Sequence, residues 1–422
     1  MFPNVPGAEA VHRTHGAGDD QPPRRSEDRV SDTDLFDLMD DWGPEKIVCV
    51  SDRRTGMRGV LVIDNTARGM GKGGTRMSAT LTVGEVARLA RTMTWKWAAV
   101  DLFYGGAKAG ILGDPRRADK EAVLRAFARA LADEVPAEYV FGLDMGLAEA
   151  DAAIFVDELR SRGVATGLPR ALGGTPYDQL GITGYGVAEA AQAVAADIDL
   201  PLVGARVVIQ GFGAVGAAAA ARLSELGARV VGVSNALGTL ADPDGLDVAA
   251  LTADRVVAGD EALRAAAGAG GLQHVDAALD LDCDILVPAA RQDVIDADVA
   301  ARTSARLVVE GANLPTSDDA RRILHDRGVA VVPDFIANAG GIIAAAYSMD
   351  ARTSAFVVDT AEVFATVSEK LRANAVEVLA RSRRTGATTR QAALDMAQAR
   401  VLAAMELRGQ CPAAAVSRVG AA

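Results

Sequence analysis

The stretch ARVVIQGFGAVGAAAAARLSELGARVVGVSN, Ala205–Asn235, decides the fold. An apolar run, RVVIQ, leads into Gly211, Gly213 and Gly216, which spell G-x-G-x-x-G. An Ala-rich segment with helical character follows, and then a second apolar run, RVVGV. The glycine pattern alone is weak. Strand, Gly-rich turn, helix and strand at βαβ spacing are the context that turns it into a dinucleotide fingerprint rather than an empty turn. A pyrophosphate would rest on the helix N-terminus, where free N–H groups and the helix dipole favour an anion, so Gly211, Gly213, Ala214, Val215 and Gly216 are the expected contacts. The small Ala217–Ala221 let that helix approach the sheet. The acid usual about twenty residues on is replaced by Asn235, which can bond a ribose hydroxyl but does not repel a 2′-phosphate. No arginine follows in NALGTL to attract that phosphate, so NAD is preferred and NADP stays open.

Working outward, KIVCVSD and MRGVLVIDN flank RRTG and read as a hairpin. Thr82 and Glu85 form a capping box ahead of Val83, Val86, Ala90, Met93 and Trp97, which recur at helical spacing. GGAKAGIL then reads as a turn into a strand, DKEAVLRAFARALADE as a helix, EYVFGLDMG as a strand and AEADAAIFVDELRSRG as a helix. ALGGTPYDQLG, Ala171–Gly181, is rich in turn formers and reads as a linker. From about Thr353 to Leu407 the pattern is helical again. The fold class is therefore α/β, with a first α/β domain ahead of a Rossmann domain.

The opening thirty residues carry Pro, Gly and charge without an apolar core, and read as a disordered extension. No run is long enough to span a bilayer. A net charge of -12 over 422 residues disfavours nucleic acid or an anionic membrane as partner, and points to a small-molecule substrate. Cys49, Cys283 and Cys411 are too widely spaced for a zinc site or a disulfide framework, so no metal and a reducing cytoplasm are expected.

Of 44 Lys and Arg residues only six are lysine, and three of those, Lys72, Lys96 and Lys108, fall within one short span. A guanidinium stays protonated, whereas an ammonium loses its proton when desolvated or crowded, so retained lysines hint at amine chemistry or compact charge placement. Lys96 falls on or beside the apolar face of its helix, as a site residue or a snorkelling one. Lys108, in YGGAKAG, lacks the G-x-x-x-x-G-K-[ST] form of a phosphate loop. The histidines are His12, His15, His274 and His325, none well placed for alcohol dehydrogenation. A lysine of lowered pKa working with a carboxylate remains, and suits oxidation of an amine to an imine followed by hydrolysis. Asp144, between Gly142 and Gly146 at a strand end, is that carboxylate or else an N-cap for the next helix.

With KGGTRM, MTWKWAA, GGAKAGI, GLDMG, TGYGV, GFGAVG, EGANLP and PDFIANAGG in this order, the chain from about Glu45 to Leu407 resembles the glutamate/leucine/phenylalanine/valine dehydrogenase family. The resemblance implies a substrate-binding and oligomerisation domain over 31–180, a Rossmann domain over 181–350, and C-terminal helices over 351–422 returning to the first domain. It implies Lys108 as the catalytic lysine, with Lys96 supplying the like charge that lowers its pKa. Asp144 would shuttle protons and Lys96 would hold the substrate α-carboxylate. Gly73 and Gly74 would let the backbone approach the substrate. Thr183, Asn313 and Asn338 would lie near the nicotinamide. Lys72 resembles the lysine that pairs with a side-chain carboxylate in glutamate-specific members, whereas Ala345 stands where those members tend to have Ser. Phe103 in place of Pro, and a linker without the Arg many glutamate members carry, are further departures. The implied reaction is reversible NAD(P)-dependent deamination of an L-amino acid, glutamate first, to the 2-oxo acid and ammonia, in a cytoplasmic homohexamer. An aliphatic or aromatic substrate, or a non-catalytic regulatory role, is the alternative.

Overall fold

The computed structural model describes residues 35–175 and 180–411. The expected N-terminal extension and the middle of the 171–181 linker lie outside the described residues. The first sheet is built by β1 (Lys46–Asp52), β2 (Met57–Asn65), β3 (Gly71–Lys72), β4 (Thr75–Ser78), β5 (Gly105–Leu112) and β6 (Tyr139–Val140). Its order is β1-β2-β5-β3-β6, with β4 also on β5. β1, β2 and β5 are antiparallel neighbours, with Val62 opposite Lys108. One edge of β5 is covered twice in parallel: β3 pairs Lys72 with Gly106, and β4 pairs Thr75 with Ala109. Gly73 and Gly74 bridge the two short strands, and the Gly74 carbonyl accepts from Ala109 N at 3.1 Å. The expected turn at Gly105 and Gly106 is thus already strand, and Lys108 sits in the middle of it.

Helix α1 (Val83–Ala99) crosses this sheet, and Trp97 Nε1 donates to the Lys72 carbonyl at 2.9 Å. Thr82 caps α1 by accepting from Glu85 N at 3.1 Å. The reciprocal half of the expected capping box does not form, because the Glu85 carboxylate turns to Arg76. Helices α2 (Lys120–Ala130) and α3 (Glu149–Leu159) enclose a core in which Phe141 stacks on Phe155 at 4.2 Å.

Helix α4 (Ile182–Asp197) precedes the second sheet: β7 (Arg206–Gln210), α5 (Ala214–Glu225), β8 (Arg229–Asn235), β9 (Gly238–Ala241), α6 (Val248–Ala258), α7 (Glu261–Ala267), β10 (Ile285–Pro288), α8 (Ala297–Arg302), β11 (Leu307–Val309), α9 (Asp318–Asp326) and β12 (Ala330–Val332). The order β12-β11-β10-β7-β8-β9 is the doubly wound arrangement, parallel except for β9, which runs antiparallel on the edge. The strand order reverses between β7 and β10, and that is where a ligand crevice is expected.

Helices α10 (Asp334–Ala337), α11 (Gly340–Ala351), α12 (Thr360–Thr385) and α13 (Thr389–Leu407) complete the chain. α12 packs on α4, and α13 returns to α1, where Arg400 Nη1 bonds the Ala98 and Ala99 carbonyls at 2.8 Å each. One hydrophobic core spans α1, α4, the second sheet and these last helices.

Candidate active site

The β3/β4 pairing along β5 brings Lys72 and Lys108 to one cavity of about 710 Å³, which also contains Gly73, Gly74, Asp144, Thr166 and Ala345. Lys108 Nζ lies 2.8 Å from Asp144 Oδ2, and Arg76 Nε donates to the same oxygen at 2.9 Å. Burial holds the Lys108 ammonium below its ordinary pKa, with Arg76 acting in the same direction, although Asp144 pulls it back up. Burial pushes the Asp144 carboxyl up, but Lys108 and Arg76 outweigh it and keep the group below the usual carboxylate range. An amine that gives up its proton readily and a carboxylate that keeps its charge can pass protons in either direction.

Lys72, 3% exposed, makes no ion pair with a carboxylate among the described residues. Its Nζ donates to Thr166 Oγ1 at 2.9 Å and to the Val140 and Phe141 carbonyls at 3.0 and 3.4 Å. Burial, reinforced by the charges of Arg352 and Lys108, pushes its pKa down to about 7. A lysine buried without a counter-ion at a cavity wall is costly, and an incoming carboxylate relieves that cost.

Lys96 occupies the neighbouring space. Its Nζ donates to Asn313 Oδ1 at 3.0 Å, and that oxygen also accepts from Asn338 Nδ2 at 3.1 Å. Lys96, Asn313, Asn338, Thr183 and Val215 line a second cavity of about 470 Å³. Lys96 therefore lines the cavity beside the N-terminus of α5 and is not among the residues lining the Lys72–Lys108 cavity. Burial lowers its pKa, and Lys108 adds to that. The like charge that bears on Lys108 most strongly is Arg76, not Lys96 as the sequence suggested.

The glycine loop fits a dinucleotide. The first-turn N–H groups of Ala214, Val215 and Gly216 have no intrahelical partner, and a Cβ on Gly213 would meet nothing within 4 Å. A Cβ on Gly216 would lie 1.8 Å from the Gly211 carbonyl oxygen, so the tight turn itself requires glycine. Asn235 is already engaged: Nδ2 donates to Asp260 O at 2.8 Å, and Oδ1 accepts from Leu237 N at 2.9 Å.

Gly73 and Gly74 border the cavity as expected, but protein contacts already demand glycine there. Added Cβ atoms would lie 1.7 Å from the Ala107 carbonyl oxygen and 2.6 Å from that of Leu143. The alternative reading of Asp144 as an N-cap fails, since α3 is capped at Ala148, whose N–H goes to Asp151. The sequence reading missed Arg76, although it stands inside KGGTRM, four residues after Lys72. It missed Thr166 as well, which only the fold brings to Lys72.

Residues 44–161 match the family model described as Glu/Leu/Phe/Val dehydrogenase, dimerisation domain, and residues 173–409 match the model of Glutamate/Leucine/Phenylalanine/Valine dehydrogenase. Glutamate dehydrogenase A2 of Halobacterium salinarum is 37% identical over 366 residues, covering 82% of this chain and 85% of that protein. The NAD-specific glutamate dehydrogenase of Staphylococcus aureus (strain COL) is 37% identical over 319 residues, 73% of this chain and 76% of the relative. Among solved structures, the hetero-hexameric glutamate dehydrogenase from Thermus thermophilus in its Leu-bound form superposes with a TM-score of 0.74 at 31% identity, covering 89% of this chain and 93% of that one. The chain belongs to the glutamate/leucine/phenylalanine/valine dehydrogenase family.

Proposed function

We propose that the protein catalyses the reversible oxidative deamination of L-glutamate to 2-oxoglutarate and ammonia with NAD as the preferred acceptor. The observation that carries this reading is Lys72, a buried lysine without a counter-ion among the described residues, in the same cavity as the Lys108–Asp144 pair. A side chain ending in a carboxylate supplies the missing charge, and an aliphatic one leaves it unpaired. The nicotinamide dinucleotide, when bound at the α5 glycine loop, supplies the acceptor for the hydride from the substrate Cα.

The chain's own residues handle the protons. Asp144 takes a proton from the substrate ammonium as the amine is prepared for oxidation. Lys108, whose pKa burial lowers, in its neutral form takes a proton from the water whose oxygen bonds to the imine carbon. Its ammonium then faces the oxygen that develops there. Lys108 releases that proton to solvent and takes the hydroxyl proton of the adduct as the C=O bond forms, while Asp144 returns its proton to the departing nitrogen as the C–N bond breaks and ammonia forms. Lys96 would turn from Asn313 to the substrate α-carboxylate, and Thr183, Asn313 and Asn338 would face the nicotinamide end.

The same reading assigns residues 31–180 to substrate binding and assembly, 181–350 to the dinucleotide and 351–422 to helices that join them. It makes the protein a cytoplasmic homohexamer. Among the described residues no helix is long and apolar enough to cross a membrane. A second reading, an enzyme for an aliphatic amino acid, is favoured by Ala345, Met93, Leu143 and Ile342 in the cavity wall. Purified protein is expected to reduce NAD⁺ with L-glutamate and to lose that activity as Lys108→Ala. A fully active Lys108→Ala variant would refute the mechanism.

A further inference from the structure

Asp144 Oδ2 accepts from two cations at once, Lys108 Nζ at 2.8 Å and Arg76 Nε at 2.9 Å. The Arg76 fork continues through Nη1 to Glu85 Oε1 at 2.7 Å, in the first turn of α1. A carboxylate oxygen offers about two lone-pair sites, so Oδ2 is fully engaged and has none left for a substrate proton. We infer that Arg76 is a positioning residue for the proton chemistry: anchored on Glu85, it pins Asp144 Oδ2 beside Lys108 and leaves Oδ1 to exchange the proton with the substrate amine. This rests on the proposed roles of Lys108 and Asp144.

The step balances simply. An N–H bond of the substrate ammonium breaks as the Oδ1–H bond forms, and the same proton returns to nitrogen when the C–N bond breaks. Oδ2 keeps Lys108 and Arg76 as donors throughout. Arg76 also supplies a fixed positive charge beside both groups. It stabilises the ionised Asp144 and opposes protonation of Lys108. Glu85 on α1 works against it at Lys108. The remaining titratable groups around the pair are Lys72 on β3, Lys96 on α1, Tyr139 on β6 and Glu149 on α3. All of them stay in place when Arg76 alone is changed.

Removing the Arg76 cation makes the Asp144 carboxyl harder to ionise and the Lys108 ammonium harder to deprotonate. The chemistry needs both groups deprotonated, so the rising, acid limb of the pH profile moves to higher pH. The test is the pH dependence of kcat/KM with the best amino-acid substrate, for the full chain as wild type, Arg76→Gln, Arg76→Lys and Lys108→Ala. Arg76→Gln is expected to shift the acid limb upward by about one unit or more. Arg76→Lys, which keeps the charge and loses the fork, is expected to return that limb towards wild type at reduced kcat. Lower activity with an unmoved acid limb overturns the inference, because a merely structural arginine would give that result.

Should Arg76→Gln not fold, Glu85→Gln reads the same coupling in the opposite sense. Arg76 then acts unopposed and the acid limb moves to lower pH, whereas an unmoved limb again overturns the inference. Lys108→Ala separates the two layers. Full activity there refutes the underlying mechanism, while an inactive Lys108→Ala beside an unshifted Arg76→Gln refutes the role of Arg76 alone.

Discussion

Replacing Lys72 with methionine keeps the length and apolar stem of the side chain and deletes its charge. In the free protein Lys72 is 3% exposed and held by Thr166 and the Val140 and Phe141 carbonyls, with no acid paired to it among the described residues. If the distal carboxylate of glutamate docks there, its partner in the variant is gone and the carboxylate is buried alone. Breaking a buried ion pair from one side costs about 3–5 kcal/mol, which at 1.36 kcal/mol per tenfold is roughly two to four orders of magnitude in kcat/KM.

The depressed pKa trims this at high pH. With Lys72 at about 7, binding glutamate at pH 8 must first restore the proton, and that costs the wild type about tenfold there. The loss in Lys72→Met is therefore largest at or below pH 7, and the wild-type KM for glutamate climbs as the pH rises past 7. L-Norvaline, whose side chain ends in a methyl, is expected to gain from the substitution and to show no such KM trend. Initial-rate kinetics with both substrates between pH 6 and 9 measure all of this. Glutamate turnover within about threefold of wild type in Lys72→Met would refute the reasoning.

Stability should move the other way. The folded pKa of Lys72 lies below the unfolded value of 10.5, so between them the unfolded chain holds a proton the folded chain lacks. The penalty is thus fully present below about pH 7 and fades as the pH rises towards 10.5. Lys72→Met removes it and is expected to stabilise the fold by about 1–4 kcal/mol, seen as a higher Tm at pH 6 than wild type. Gly73→Ala would drive a Cβ to 1.7 Å from the Ala107 carbonyl oxygen, against backbone that cannot yield. It is expected to cost upwards of about 3 kcal/mol in thermal or urea unfolding, beyond ordinary overpacking. Gly216→Ala, 1.8 Å from the Gly211 oxygen, should weaken NADH binding in a fluorescence titration while leaving the first sheet's thermal transition in place. Ala345→Ser adds a hydroxyl to the Lys72 cavity and should lower the KM for glutamate without helping norvaline, by at most one charge-assisted hydrogen bond of about 1.5–3 kcal/mol.

The second sheet was legible because local signals agreed there. RVVIQ, the glycines, the Ala-rich helix and RVVGV are adjacent in sequence, and they form β7, α5 and β8 in that order. The first sheet was legible only in part. Its hairpin and α1 announce themselves, but β3 and β6 are two residues each, too short for any period, and exist because β5 and each other complete their hydrogen bonds. Lys72, Lys108 and Asp144 were found through residue type and motif. Their grouping in one cavity depends on β3 and β4 sharing an edge of β5, which no local pattern encodes. Arg76 escaped because an arginine on a short strand has no periodic signature, and Glu85 because its capping spacing suggested a different partner.

Which amino acid satisfies Lys72 decides the function. The most direct measurement is kcat/KM for L-glutamate, L-leucine, L-valine and L-phenylalanine, each with NAD⁺ and with NADP⁺, on the purified wild-type protein. Glutamate is expected to lead the series, with NAD⁺ as the better acceptor. A higher kcat/KM for any of the three uncharged substrates would contradict the role given to Lys72.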